Sequence, residues 1–430
     1  MPGNPPARPL YTKPEALSRA PVFSPNGKQK IDCRFPQDYN RIRGKNRFDP
    51  VWIQTAILIC KEFFVMSEKA EKPRMNKKKK GLIIALCSVL GFLLLFSVAS
   101  VIVCGTIYDA QFDRSDSPNW ATKEGLSFAD YSEEDYPRDI VKIPSAGSEL
   151  TTYIFAAKES KGLVVFCHGL GGGTELYINE IIALVDRGWT VLASDFTGSF
   201  STEGPSIKGF PQSVIDLNNI LTWVEAQERF SGMDVMLIGH SWGGYAVTNV
   251  LNYGTHDIKA VVAVCPVYGA YKFIGQQTID MLGFLGYIEY PYGCLYQFLK
   301  FGKAAAFNAV DGINKSDIPV MIVIAENDRT VKGNDSLLTY KDKIKNPNAT
   351  FVIRSGEGQG THNYVFRTEA AYRYVQETDA AYDQYKAEHG GSLTYEEKVA
   401  FYDTVDDARI SEVDQAFMDQ ISAFFEDALS

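Results

Sequence analysis

Past residue 138 the apolar positions of the chain fall into two alternating rhythms. Leu163 to Cys167, Thr190 to Ser194, Val235 to Ile238, Ala260 to Val264, Pro319 to Ile324 and Thr350 to Arg354 are short runs rich in β-branched residues, with the length and composition of buried strands. Between them, Glu175 to Val185 and Ser213 to Glu225 space their apolar residues like one face of a helix, and Gln415 to Phe425 reads as a closing helix. Upstream, Ile140 to Ile143 and Leu150 to Phe155 alternate around Ser145-Ala146-Gly147-Ser148 like the arms of a hairpin. Strands alternating with helices predict an α/β fold whose mostly parallel central sheet is flanked by helices on both faces.

The rhythm breaks twice. Residues 268–316 are rich in tyrosine and phenylalanine, among them Tyr268, Phe284, Tyr287, Tyr292 and Phe298. These rings are expected either to cover an apolar site or to form the insertion's own core. Residues 370–414 are charged and tyrosine-rich with helical spacing, and are expected to be a packing or solvated helical extension that carries no chemistry.

A sharper boundary lies upstream, where no charge occurs from Gly81 to Tyr108. That run exceeds the ~20 residues a helix needs to cross a bilayer, so residues 81–108 are expected to form a transmembrane signal anchor. Lys77 to Lys80 abut it; residues 1–80 hold 18 Lys+Arg against 7 Asp+Glu, which leaves 25 against 45 for the rest. The basic flank should stay in the cytoplasm and the acidic body should face outward. Ser97-Val98-Ala99 before Ser100 looks like a cleavage site that would release the body as a secreted protein. Because the apolar run continues past it, an uncleaved anchor is expected. Cys104 follows Val103 rather than a small residue and is a poor lipidation site.

Residues 1–80 are proline-rich, basic and without steady periodicity, and Val51 to Cys60 is too short to span a bilayer. They are expected to be a disordered tail. Met75-Asn76-Lys77 to Lys80 also has the form of a signal-anchor start, so translation from Met75 or Met66 is a further expectation. Residues 109–137 read as a polar stalk and 138–430 as the body.

With 430 residues, 45% of them hydrophobic, the chain can build one large α/β domain plus an extra segment. Its seven cysteines show no disulfide framework, and no Cys/His spacing resembles a zinc site. No metal, cofactor or nucleic-acid partner is expected.

The most informative motif is Gly239-His240-Ser241-Trp242-Gly243, between the apolar run Val235 to Ile238 and a helix-like stretch from Tyr245 to Leu251. A strand that turns abruptly into a helix strains its central residue, and only small flanking residues let the two elements pass so closely. Such a turn presents the Ser241 hydroxyl and leaves the Trp242 N–H at a helix start, free to bind a developing negative charge. A serine hydroxyl needs a base. Of five histidines, His168 and His240 sit in glycine turns, His256 in a loop, and His389 in a polar tail. His362, in Gly358-Gln359-Gly360-Thr361-His362-Asn363 after a strand, remains. Asp328, just past the strand ending at Ile324, is the expected carboxylate for that imidazole, with Glu326 its rival. The strand Val164 to Cys167 runs into His168-Gly169-Leu170-Gly171-Gly172-Gly173, whose Leu170 N–H would be the second oxyanion donor. A dinucleotide loop would need glycine at 174, which is threonine.

Taken together these residues resemble the α/β-hydrolase family, in particular bacterial serine hydrolases of the monoglyceride lipase and acyl-esterase kind. The order oxyanion loop (His168-Gly169-Leu170), Ser241, Asp328, His362 is that family's order, and Asp195 with Gly198 after the fourth strand is similar to it too. The resemblance covers about residues 135 to 430. It implies a lid at 268–316, a Ser-His-Asp acyl-enzyme mechanism, and small-molecule or lipid esters as substrates. A peptidase or acyltransferase on the same scaffold, or a catalytically silent surface binding protein, are the competing expectations.

Overall fold

The computed structural model describes residues 76–430. The basic N-terminal segment, with Met66, Met75 and Val51 to Cys60, lies outside the described residues. By internal contacts the chain separates into residues 1–81 and 82–430, and the second unit is described by itself below.

A single helix, α1 (Lys77–Gln111), carries the apolar run, with a mean hydropathy of 2.8 over its most apolar window. Among the described residues it is the one helix long and apolar enough to cross a membrane. Its residues from Leu82 to Phe96 are exposed.

The body is built on an eight-stranded sheet: β1 (Arg138–Ser145), β2 (Ser148–Phe155), β3 (Leu163–Cys167), β4 (Thr190–Ser194), β5 (Val235–His240), β6 (Ile258–Val264), β7 (Val320–Ala325) and β8 (Ala349–Arg354). Their order across the sheet is β1-β2-β4-β3-β5-β6-β7-β8. The β1/β2 hairpin and the β2/β4 pair are antiparallel, and every other pair is parallel. Alternate residues of each central strand enter opposite cores, as the two-residue period of a strand requires. Val165, Leu237, Val261 and Ile322 face one core, and Val164, Met236, Val262 and Met321 face the other. Helix α2 (Ile178–Asp186) and the closing helix α11 (Gln415–Asp427) cover the second core, whereas α3 (Gln212–Glu225), α4 (Trp242–Asn249) and α7 (Ala309–Asn314) cover the first. Burying each of these Leu, Ile or Val side chains contributes about 1.5–3 kcal/mol, which accounts for near-continuous apolar strands instead of polar alternation.

From β3 the chain goes to β4 on one side and then to β5 on the other. This reversal opens a crevice at the carboxyl ends of the strands, where open α/β sheets hold their ligands.

Residues 268–316 contain the helical hairpin α5 (Ala270–Leu282) and α6 (Phe284–Phe301), followed by α7. The later extension forms α8 (Glu369–Glu388), α9 (Tyr395–Tyr402) and α10 (Asp407–Ile410). The segment 109–137, expected as a polar stalk, lies against the body. Asp113 and Ser115 form isolated bridges with Ser206 and Ser199. Arg114 donates to the carbonyls of Thr202 (2.7 Å), Gly204 (3.2 Å) and Phe200. The Phe128 ring packs 4.7 Å from that of Tyr153, and the Tyr131 hydroxyl donates to Asn179 at 2.7 Å. Its average polarity conceals the separate aromatic residues that dock it.

Candidate active site

β5 ends at His240, and Ser241 follows at φ 55° and ψ −110°, immediately before α4 begins. A non-glycine residue held there stores roughly 1–3 kcal/mol of strain, and the fold imposes it from two sides. The Ser241 N–H donates to the Val264 carbonyl at 2.8 Å, which fastens the turn to the neighbouring strand. A Cβ at Gly239 would collide with the Gly243 carbonyl, and one at Gly243 with the Cys167 carbonyl. The two glycines are therefore required by the close passage of β5, α4 and β3.

His362 lies across the rim in the loop after β8. Its Nε2 is 2.9 Å from Ser241 Oγ, and its Nδ1 is 2.7 Å from Asp328 Oδ2. A carboxylate can only accept, so Nδ1 carries the proton and the lone pair of Nε2 faces the serine hydroxyl. Unlike an exposed loop histidine, His362 is only 6% exposed. The Asn327 N–H donates to the Gly360 carbonyl at 2.7 Å and ties the two loops together. Asp328 Oδ1 accepts from the N–H groups of Thr330 and Val331, both at 2.8 Å. Burial alone would raise the Asp328 carboxyl, but the hydrogen bond and charge of His362 and these two N–H donors outweigh it and hold the group below the usual carboxylate value. The rival Glu326 is exposed; its N–H is taken by the Arg354 carbonyl at 2.9 Å.

The glycine-rich loop after β3 runs beside this line. A Cβ built on Gly169 would lie 3.6 Å from the Ser241 Cβ, so the backbone passes close to the serine. The Leu170 N–H and the Trp242 N–H, at the start of α4, have no hydrogen-bond acceptor among the described residues. The loop is held from beneath. His168 Nδ1 donates to the Gly169 carbonyl (2.8 Å) and its Nε2 accepts from the Phe196 N–H (2.9 Å). Its two partners fix the neutral tautomer, and burial lowers its pKa to about 4. Asp195 accepts from the N–H groups of Thr174 (2.7 Å) and Ser201 (3.0 Å).

Two residues with no role in the sequence reading, Tyr177 and His240, join the loop to the histidine. The Gly169 N–H donates to the Tyr177 oxygen at 3.0 Å, and the Tyr177 hydroxyl reaches His240 Nδ1 at 2.8 Å. His240 Nε2 is 2.9 Å from the His362 carbonyl, which can only accept, so Nε2 donates and Nδ1 accepts from Tyr177. Burial, reinforced by His362, depresses the His240 pKa to about 3. The position of His240 inside the serine motif was the only available signal, since Tyr177 is distant in sequence.

His240, Cys265 and His362 bring potential metal ligands within 4.8 Å of one another. Every ring nitrogen in this group already has a partner. Burial, with the Asp328 charge next, pushes the Cys265 thiol well above its usual value. A cation would have to break the line to Ser241 to bind here, so these residues do not fit a metal.

Residues 162–284 match the family model described as alpha/beta hydrolase fold. The matched stretch runs from β3 to the start of α6 and includes the elbow at Ser241. Solved structures similar to it include an esterase from Pyrococcus furiosus, at 18% identity over 64% of this chain and 98% of that one, with a TM-score of 0.43. Est1E from Butyrivibrio proteoclasticus with ferulic acid bound is 20% identical over 56% of this chain and 98% of its own, with a TM-score of 0.42. An acylaminoacyl peptidase from Pyrococcus horikoshii is 14% identical over 53% of this chain and 38% of its own, with a TM-score of 0.40. No curated protein sequence matches the chain.

Proposed function

We propose that the protein is a membrane-anchored serine hydrolase that cleaves carboxylic esters through an acyl-enzyme. The observation that carries this reading is the hydrogen-bonded line Ser241 Oγ, His362, Asp328, with distances of 2.9 and 2.7 Å. His362 Nε2 takes the hydroxyl proton as Ser241 Oγ attacks the ester carbonyl, and the N–H groups of Leu170 and Trp242 receive the oxyanion. By analogy with measured oxyanion donors, each lowers the barrier by about 3 kcal/mol. His362 then returns the proton to the departing alcohol, leaving the acyl group on Ser241. Water, deprotonated by the same imidazole, attacks the acyl-enzyme and releases the acid and the free serine. Asp328 holds the ring in the tautomer that leaves Nε2 open and stabilises the imidazolium formed in each half-reaction. Helix α1 is the anchor in this reading, with Lys77 to Lys80 on the cytoplasmic side and the body outside.

Ser241→Ala removes the nucleophile while leaving the backbone turn in place. It should abolish labelling by a fluorophosphonate probe and ester turnover, with an unchanged circular dichroism spectrum. A variant that still labels in the crevice would refute the assignment.

A further inference from the structure

From Ser97 onward, α1 turns one stripe of its surface inward: Ser100, Gly105 and Tyr108 are buried, and Ser97 and Cys104 are half-buried. That stripe is covered by α6. Ser97 Oγ meets the Tyr292 hydroxyl at 3.1 Å, Ser100 Oγ donates to Glu289 at 3.2 Å, and the Cys104 thiol lies 3.5 Å from the same carboxylate. Further along, Asp109 accepts from Tyr296 and Lys300, both at 2.6 Å. As α1 runs from Ser100 to Asp109, α6 runs from Glu289 to Lys300, so the two helices point the same way. Small residues on α1 let the helices approach, and polar pairs hold them, as in helix contacts within bilayers.

The uncharged run from Gly81 to Tyr108 is about 42 Å of helix, longer than the ~30 Å hydrocarbon layer. The α5/α6 turn at Gly283 points back along this run. Phe284, five residues before Glu289, lies roughly 7.5 Å deeper than that carboxylate. The outer surface of the hairpin suits that depth: Met281, Phe284, Leu285, Tyr287, Leu295 and Phe298 are all exposed. Between Met281 and Leu299 the only charged residue is Glu289, which is turned to α1, and nearby Asp280 is bonded to Gln276 at 2.8 Å. Such a contiguous apolar surface is seldom left to water on a monomeric soluble protein. A cavity lies between the two elements, with walls from Ile107 and Tyr108 of α1, Phe112 just past its end, Ile274 and Met281 of α5, and Leu170 of the loop beside Ser241. The cavity's lining and the hairpin's exposed apolar surface share Met281.

We infer that the α5/α6 hairpin is immersed, beside α1, in the bilayer leaflet nearest the body, and that the cavity admits the acyl chain of a lipid ester directly from that leaflet. The anchor is then a wall of the acyl pocket as well as a tether. The occupant of the exposed face is lipid, because that face is continuous with the helix assigned above as the membrane anchor. The substrate class rests on the hydrolase reading above; the location of the hairpin does not.

The test uses the full-length chain in phosphatidylcholine/phosphatidylglycerol vesicles. Phe284→Trp adds a fluorophore at the hairpin tip and Ile353→Trp adds one on β8; phosphatidylcholine brominated in its acyl chains should quench the first and leave the second unchanged. Phe284→Ser combined with Leu285→Ser should lower turnover of a long-chain monoacylglycerol held in the vesicles about tenfold or more, from the apolar burial lost. Turnover of soluble p-nitrophenyl butyrate should be retained. Emission that stays unquenched in the Phe284→Trp variant overturns the immersion even in an active enzyme, and equal losses on both esters overturn delivery from the leaflet. A wild-type chain that labels with no fluorophosphonate and cleaves neither ester is a failure of the hydrolase reading, and it removes the substrate class with it while the quenching result still decides the hairpin's place.

Discussion

The proton on His362 Nδ1 is the smallest feature on which the proposed chemistry depends. Asp328 keeps it there because a carboxylate offers no proton of its own. An asparagine at 328 can instead donate its amide N–H to Nδ1 and drive the ring proton to Nε2, where it faces the serine oxygen as a donor and cannot accept. Asp328→Asn should therefore lower kcat by roughly 10⁴-fold with little change in KM, the size of effect known for this change in a serine protease triad. Glu326→Gln, on an exposed side chain, should leave kcat within about twofold. Steady-state kinetics on one soluble ester measures both, and equal losses in the two variants would remove Asp328 from its role. The choice between these two acids was open to sequence reasoning only as a preference for a loop position over a strand end. What separates them in the structure is the turn in which Thr330 and Val331 N–H groups aim the Asp328 carboxylate inward.

At the scale of elements, the serine is presented by three backbones that meet without side chains between them. Gly243 on α4 faces the Cys167 carbonyl at the end of β3, and Gly239 on β5 faces Gly243. Gly243→Ala should push α4 off the sheet, costing on the order of 3 kcal/mol from overpacking. Because the displaced helix carries the Trp242 N–H, ester turnover should fall by more than the folded fraction does. Urea unfolding beside active-site titration separates the two effects, and a variant of normal stability and normal kcat would mean that the crossing is looser than described. Where such crossings occur was legible in the sequence, because a glycine-framed serine between an apolar run and a helical one leaves few alternatives. The sheet was legible for a related reason, since strands buried on both faces are written as continuous apolar runs. The docking of residues 109–137 was not. It depends on a few aromatic residues, Phe112, Phe128 and Tyr131, whose partners Tyr153 and Asn179 are brought near only by the folded sheet. The Tyr177 to His240 link is hidden likewise, because a tyrosine on a turn has no pattern of its own until β3 and β5 lie side by side.

For the whole molecule, the same buried network sets a dependence of stability on pH with a definite sign. His168 has a folded pKa of about 4 against an ordinary value of 6.5. Burial favours the neutral ring, and Nε2 is already taken up in accepting the Phe196 N–H. The unfolded chain binds the proton first as pH falls, so the stability this residue contributes is fully present above about pH 6.5 and is lost progressively toward pH 4. His240, depressed to about 3, acts in the same direction. Asp195 opposes them: burial raises its carboxyl to about 6, so between about pH 4 and 6 the folded state holds the extra proton and gains stability on acidification. Asp335, raised to about 6 by burial and then by Asp280, adds to that opposition. The total curve mixes these terms, but a difference between two proteins that share all but one of them does not. In His168→Gln the other three groups remain, and the variant, which has lost a tailored pair of hydrogen bonds, should be the less stable protein at pH 7. On going from pH 6 to pH 5 the stability gap should narrow by about 1 kcal/mol, because wild type alone loses the contribution of a neutral imidazole at 168. Urea denaturation of both proteins at the two pH values measures that gap. A gap that stays constant or widens on acidification would show that His168 takes up its proton in the folded state as readily as in the unfolded chain, and the loop before Ser241 would then have to be held by something other than a permanently neutral ring.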